Sequence, residues 1–191
     1  YPAGDIRAGQ TVNPTGAGQS YNNCGLESSR QLINRARAGS GLSPLSEREL
    51  YDAAVNAHQA GTVPNDLRGS GTTSPDQRLS ILSTNGVEAS RVYAGSPEEL
   101  APFLAEGHGV LVDVWASDLW SEDASKAVNL AHMSGTGPHT VVLTGIEYDD
   151  QGKPINAIVN DTGQGTCGEK IPIDKLRGAL LGNNGQIVTR D

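Results

Sequence analysis

The strongest constraint on the fold is an apolar, β-branched run at residues 140–148, which predicts a buried strand. The Asp- and Gly-containing segment 149–152 that follows is typical of a tight hairpin turn. Residues 155–159 then predict the return strand. Because an antiparallel hairpin aligns the start of one strand with the end of the next, we expect His139 and Asp161 to lie side by side.

Helix signals come before this hairpin and strand signals concentrate after them. The sequence Ser46-Glu47-Arg48-Glu49 forms a capping box, and Ser74-Pro75-Asp76-Gln77 caps another helix. We predict helices over 24–38, 46–59, 74–84, 96–106 and 174–181, and further strands over 89–94, 110–115, 171–173 and 186–189. We also predict a long polar loop over 117–137 and a turn around Cys167. This order indicates an α+β domain with an N-terminal helical half, a C-terminal antiparallel sheet half and a cleft between them.

Cys24 stands at the first residue of the first predicted helix. The positive end of the helix dipole and the first N–H groups of a helix favour a thiolate, which is a nucleophile. A lone cysteine is as commonly a small buried core residue. On its own, Cys24 is compatible with either role.

His139 and Asp161 favour the nucleophilic role of Cys24. A carboxylate beside an imidazole fixes its tautomer, and a neighbouring imidazole keeps a thiol ionised and later protonates the leaving group. His132 is the rival base, although it lies in a predicted polar loop, and Asn160 is the rival partner of the imidazole. Trp115 and Trp120 either line a cleft or fill the core.

Composition limits the partners. A net charge of −8 and a pI near 4.9 disfavour binding to nucleic acid or to an anionic membrane surface. No run of about eighteen apolar residues is present, so we expect no membrane span. The two cysteines and four histidines have no metal-ligand spacing, and we expect neither a metal nor a cofactor.

The chain has a length that suits a single domain. Residues 1–18 are rich in Gly, Pro and Thr and lack periodicity, so we expect a linker or lead-in there and the domain over 19–191. Because the chain begins with Tyr1-Pro2, we expect it to be part of a longer polypeptide.

An early Cys that opens a helix, followed by His and Asp on paired strands, resembles the papain-like cysteine peptidase superfamily. Asn23-Cys24-Gly25 is similar to the Asp-Cys-Gly opening of the bacteriocin-leader (double-glycine) peptidases. The segments 113–120, 138–141 and 160–163 are similar to papain-like domains of bacterial polymorphic toxins. The resemblance spans roughly residues 17–180 and implies an oxyanion role for Gln19, five residues before Cys24 where many members have six.

The resemblance implies a cysteine endopeptidase that cuts a protein substrate, with Gly-Gly before the scissile bond, through a thioester. Cys24 is then the nucleophile, His139 the acid and base, Asp161 its orienting group and Gln19 an oxyanion donor. A toxin role implies release or delivery from a bacterium, action in the cytoplasm of a target cell, and inhibition by a cognate immunity protein. Glutamine deamidation or transamidation at the same site is the alternative, and a non-catalytic peptidase-like binding module is a third hypothesis.

Overall fold

The computed structural model describes residues 22–66, 69–120, 137–163 and 165–190. Three helices open the described chain: α1 (Cys24–Gly39), α2 (Glu47–Asn56) and α3 (Pro75–Thr84). Both predicted capping boxes are present, with Ser46 and Glu49 capping α2 and Ser74 and Gln77 capping α3. Local sequence therefore fixes where these two helices begin, although α2 ends earlier than predicted.

Within the described residues, six strands form one sheet in the order β1-β6-β2-β3-β4-β5, with every neighbouring pair antiparallel. The strands are β1 (Ala89–Val92), β2 (Val110–Trp115), β3 (Pro138–Tyr148), β4 (Pro154–Asp161), β5 (Thr166–Pro172) and β6 (Gln186–Thr189). The remaining elements are 3₁₀ turns at Pro97–Leu100 and Gly182–Asn184 and the short helices α4 (Ala101–Ala105), α5 (Ala116–Trp120) and α6 (Ile173–Ala179). The α+β class is confirmed.

The sheet is apolar on both faces, because alternate residues of each strand enter different cores. Leu111 and Val142 pack with α1, α2 and α3 on one face. Val112 and Val141 pack with α5 and α6 on the other. The first face carries the long predicted helices, while the second is closed by short helices near the C-terminal ends of β2 and β5.

Two local predictions are wrong. Residues 117–120 belong to α5 rather than to the start of a polar loop, because Leu119 and Trp120 are buried in the core that packs on the sheet. Cys167 lies in β5 rather than in a turn, because pairing with β4 extends β5 back to Thr166. The rest of the predicted loop, 121–136, lies outside the described residues.

The hairpin of β3 and β4 positions His139 and Asp161 at one end of the sheet. Val142 pairs with Asn160, so the start of β3 lies next to the end of β4. The first turn of α1 packs on the same end, where Ser28 Oγ donates to the carbonyl of Thr140 at 2.9 Å. The start of α1 and the start of β3 are thereby held together. Among the described residues, no helix is both long and apolar enough to cross a bilayer.

Candidate active site

Cys24 is the first residue of α1, as predicted, and its side chain is only half-buried. The preceding Asn23 does not cap the helix with its side chain. Its amide instead donates to Glu47 Oε1 at 2.9 Å, which ties the start of α2 to the start of α1. Cys24 is thus held at a helix terminus while part of it stays accessible to solvent.

His139 is buried at the start of β3, and its two ring nitrogens have different surroundings. Nε2 donates to Asp161 Oδ1 at 2.8 Å. Nδ1 meets no nitrogen or oxygen donor or acceptor in the described part of the chain. Because Nε2 is engaged by Asp161, Nδ1 is the ring nitrogen available to the Cys24 thiol, and the interaction of the ring with that thiol lowers the pKa of the thiol.

Asp161, at the end of β4, accepts hydrogen bonds from three groups of the described residues. Besides His139, the indole N–H of Trp120 donates to Oδ2 at 2.8 Å, and the backbone N–H of Gly163 donates to Oδ1 at 2.8 Å. Three donors around one fully buried carboxylate favour its ionised form. The carboxylate is therefore fixed in both charge and orientation behind the imidazole.

The rival partner of the imidazole, Asn160, is engaged elsewhere. Its amide donates to Gln31 Oε1 at 3.0 Å, and its carbonyl oxygen accepts from the N–H of Gly168 at 3.0 Å. Successive residues of a strand point to opposite faces, so only one of Asn160 and Asp161 can face His139. The rival base His132 and the predicted oxyanion donor Gln19 lie outside the described residues.

The two tryptophans near the site differ in how far they are buried. Trp120 is fully buried, and its ring lies 5.0 Å from the His139 ring, centroid to centroid. Trp115 is 40 % exposed at the end of β2, where it pairs with Pro138 beside the start of β3. Trp120 therefore supports the site from within the core, whereas Trp115 lies at the surface next to it.

The charges of the site reinforce one another. Burial opposes the Cys24 thiolate, but the hydrogen bond and charge of His139, the N–H of Thr140 and the charge of Arg78 outweigh it and lower the pKa of Cys24 below its ordinary value of 9.0. Burial also opposes the imidazolium, but the charge of Asp161 and the interactions with Cys24 raise the pKa of His139 to about 10. Burial opposes ionisation of Asp161, yet the charge of His139 and the donated hydrogen bonds lower its pKa. These shifts all favour the pair in which the proton resides on His139 and Cys24 is a thiolate.

Sequence patterns missed two parts of this site. One is the hydrogen bond from Trp120 to Asp161. The other is a buried ion pair behind Cys24, formed by Arg78 of α3 and Asp113 of β2. A signal for the ion pair was present, because Asp113 interrupts an otherwise apolar strand and a buried carboxylate requires a partner.

The remaining candidates take no part in this arrangement. Cys167 is exposed in β5 and is not bonded to Cys24. In the described segments, no group of three or more His, Cys, Asp or Glu side chains could hold a metal ion.

Comparisons with known proteins identify the fold. No protein-family model matches the sequence, and no curated protein matches it either. A solved structure from Bacillus anthracis, described as a C39-like peptidase, superposes with a TM-score of 0.57 at 14% identity, covering 88% of both chains. A double-glycine-motif protease from an AMS/PCAT transporter, solved with its leader peptide, has a TM-score of 0.47 at 16% identity, covering 87% of this chain and 84% of that one. The fold is that of the C39-like peptidases, within the papain-like cysteine peptidase fold.

Proposed function

We propose that this chain is a cysteine endopeptidase that cuts a protein substrate through a thioester intermediate. The observation that carries the proposal is the arrangement of Cys24, His139 and Asp161, with the imidazole bonded to the carboxylate through one nitrogen and interacting with the thiol through the other. A nucleophile, a base and an orienting group in this relation are the requirements for acyl transfer. The C39-like peptidase fold agrees with that chemistry.

Acylation begins from the thiolate–imidazolium pair. The Cys24 sulfur attacks the carbonyl carbon of the scissile peptide bond and forms a C–S bond. The bond from carbon to nitrogen then breaks, and His139 delivers its proton from Nδ1 to the departing amine. Asp161 holds Nε2 throughout, so the ring cannot rotate away from the reacting atoms.

Deacylation uses the same groups in reverse. His139, now neutral, accepts a proton from a water molecule, whose oxygen attacks the thioester carbon. The C–S bond breaks, a carboxylic acid leaves, and the thiolate–imidazolium pair is restored. In both steps we propose that the backbone N–H of Cys24 and the side-chain amide of Gln19 donate to the developing oxyanion.

For the substrate we propose a segment with Gly-Gly before the scissile bond. The similarity of Asn23-Cys24-Gly25 to the opening of double-glycine peptidases supports it, as does the C39-like description of the protein from Bacillus anthracis. Glycines let a substrate backbone lie against a cleft floor where any Cβ would collide.

We further propose that the domain acts as a toxic effector delivered by a bacterium into a target cell, where a cognate immunity protein blocks it. The similarity of segments 113–120, 138–141 and 160–163 to papain-like toxin domains supports this role. Expression in a bacterial cytoplasm tests it. Growth arrest by the parent but not by Cys24→Ala is expected, and equal growth of both would refute the toxic role.

The experiment that tests the peptidase proposal is a peptide series analysed by mass spectrometry. Purified protein is incubated with matched peptides carrying Gly-Gly, Ala-Ala or Leu-Leu before the same bond, beside a Gln-containing protein. We expect cleavage after Gly-Gly by the parent and by Cys167→Ala, and none by Cys24→Ala. Equal cleavage of all three peptides would refute the double-glycine preference. A mass gain of about one dalton on the Gln-containing protein, without any cleavage, would replace the peptidase with a deamidase.

A further inference from the structure

A buried ion pair lies directly behind the nucleophile. Arg78 Nη2 of α3 donates to Asp113 Oδ2 of β2 at 2.5 Å, and both side chains are almost fully buried. Buried ion pairs add little to folding stability on balance, because their desolvation offsets their attraction. The position of the Arg78–Asp113 pair beside the active site suggests a role in that site instead.

The ion pair holds Thr140, the residue that follows His139 in β3. Arg78 Nη1 donates to Thr140 Oγ1 at 3.1 Å, and that hydroxyl donates to Asp113 Oδ1 at 2.7 Å. The carbonyl of Thr140 accepts from Ser28 of α1 at 2.9 Å. Thr140 is thus fixed on both its backbone and its side chain, and its N–H is the backbone group that donates to the Cys24 thiol.

Gly25 brings the guanidinium close to the nucleophile. A Cβ built at Gly25 would lie 3.0 Å from Arg78 Cδ and 3.1 Å from Arg78 Nη1. The backbone of the residue after Cys24 therefore lies close to Arg78, while the contact that excludes a Cβ there is Thr73 Oγ1, at 2.1 Å. It is the cation of the ion pair, not its carboxylate, that packs beneath the start of α1.

The charged groups described around Cys24 come from six elements. They are His139 of β3 with Asp161 of β4 behind it, Arg78 of α3 with Asp113 of β2, Glu47 of α2 bonded to Asn23, and the Glu27–Arg30 pair of α1 itself. Of these, only His139 and Arg78 lower the pKa of Cys24 by their charge. Arg78 is thus a second source of positive potential, independent of the imidazole.

We propose that Arg78 is a positioning residue for the nucleophile: through Thr140 it fixes the backbone N–H that donates to Cys24, and its buried charge adds to the positive potential that His139 supplies at the sulfur. The inference rests on the proposed function only in treating Cys24 as the nucleophile. It makes Arg78 and Asp113 parts of the active site that no catalytic motif contains.

The test is the pH dependence of Cys24 alkylation by iodoacetamide, followed by intact mass in a Cys167→Ala background. This assay measures thiol ionisation and requires no substrate. The key variant is Arg78→Met with Asp113→Val, which removes both charges and avoids an unpaired buried carboxylate. The matched control is Glu27→Leu with Arg30→Met, a buried pair in α1 that is likewise almost unexposed.

We expect the midpoint of Cys24 ionisation to rise by about one pH unit in the Arg78/Asp113 variant, which is about a tenfold slower reaction below neutral pH. The control should keep the parent midpoint, and Arg78→Lys should restore most of the reactivity. In His139→Gln, the midpoint of Cys24 ionisation should rise, and it should rise further when Arg78 and Asp113 are also replaced.

A superimposable profile in the Arg78/Asp113 variant, or an equal rise in the control, would overturn the inference. If that variant fails to fold, Thr140→Val decides in its place, with a raised midpoint supporting the positioning role and an unchanged one refuting it. A raised ionisation midpoint of Cys24 in the Arg78/Asp113 variant, together with no peptide cleavage by the parent, refutes only the peptidase proposal. Cleavage without a shift refutes only the role of Arg78.

Discussion

Asp161→Asn removes the negative charge that stabilises the imidazolium while preserving the size of the side chain. The charge of Asp161 is the largest of the effects that raise the pKa of His139 from 6.5 to about 10. A rise of that size corresponds to about 5 kcal/mol at about 1.4 kcal/mol per pH unit, and Cys24 supplies part of it. Loss of the carboxylate should therefore destabilise the imidazolium, relative to the neutral imidazole, by about 3 kcal/mol, as expected for breaking a buried ion pair.

The substitution also changes the hydrogen bonds. Asp161 accepts from His139, Trp120 and Gly163, whereas Asn has a single acceptor oxygen. If that oxygen serves His139, the amide N–H₂ faces the indole N–H of Trp120, donor against donor. We therefore expect a loss of folding stability of about 1–3 kcal/mol in addition to the effect on charge.

The assay is kcat/KM for a Gly-Gly peptide between pH 5 and 11, with thermal unfolding measured in parallel. We expect the alkaline limb of the parent, near pH 10, to move towards 6.5 in Asp161→Asn. Activity at neutral pH should fall by about a hundredfold or more, because the thiolate loses its imidazolium partner. The matched control is Asp174→Asn, which removes an exposed carboxylate of the same type. An unchanged alkaline limb in Asp161→Asn would refute the assignment of Asp161 as the orienting group.

Three further substitutions test neighbouring parts of the account. Gly163→Ala should lower kcat by about tenfold with little change in KM, because the new Cβ would lie 3.0 Å from His139 Cε1. The control is Gly178→Ala, where the new Cβ meets open space. A kcat of Gly163→Ala equal to that of the control would contradict the geometry. Gln19→Ala should lower kcat by about a hundredfold if its amide donates to the oxyanion, and an effect on KM alone would exclude that role. In Cys24→Ala, the free energy of unfolding measured by chemical denaturation should fall as the pH rises above 6.5. The raised pKa of His139 stabilises the fold fully below pH 6.5, and this contribution is lost as the pH rises through the pKa of the folded state. A free energy of unfolding that does not change with pH would contradict the pairing of His139 with Asp161.

The sequence was sufficient to predict the elements that carry the site. The β3–β4 hairpin was predictable because an apolar strand, a turn rich in Asp and Gly and a second strand are local signals. The start of α1 at Cys24 and the capping boxes of α2 and α3 are local for the same reason. From these, the approach of His139 to Asp161 follows.

Side-chain direction near the end of β4 was not predictable. The β3–β4 and β4–β5 pairings are irregular at Leu143/Gly145 and at Val159/Asp161. A one-residue change in register exchanges the faces on which Asn160 and Asp161 lie, so local patterns left both open.

The contacts of Trp120 and Arg78 depend on tertiary packing. Trp120 reaches Asp161 because α5 folds back onto the sheet, in a segment whose polar residues suggested a loop. Arg78 meets Asp113 across 35 positions of sequence, between a helix and a strand. Buried charges in apolar segments indicate that partners exist, but not which ones.

The central claim is that Cys24 is a thiolate that forms the thioester. Its most direct test is intact-mass analysis and peptide mapping after exposure, at pH 6, to an excess of a Gly-Gly peptide with a C-terminal thiol-reactive group. We expect one adduct per chain at Cys24, none at the exposed Cys167, and a strong loss of labelling in His139→Ala. Equal labelling of both cysteines, or labelling that is unaffected in His139→Ala, would contradict it.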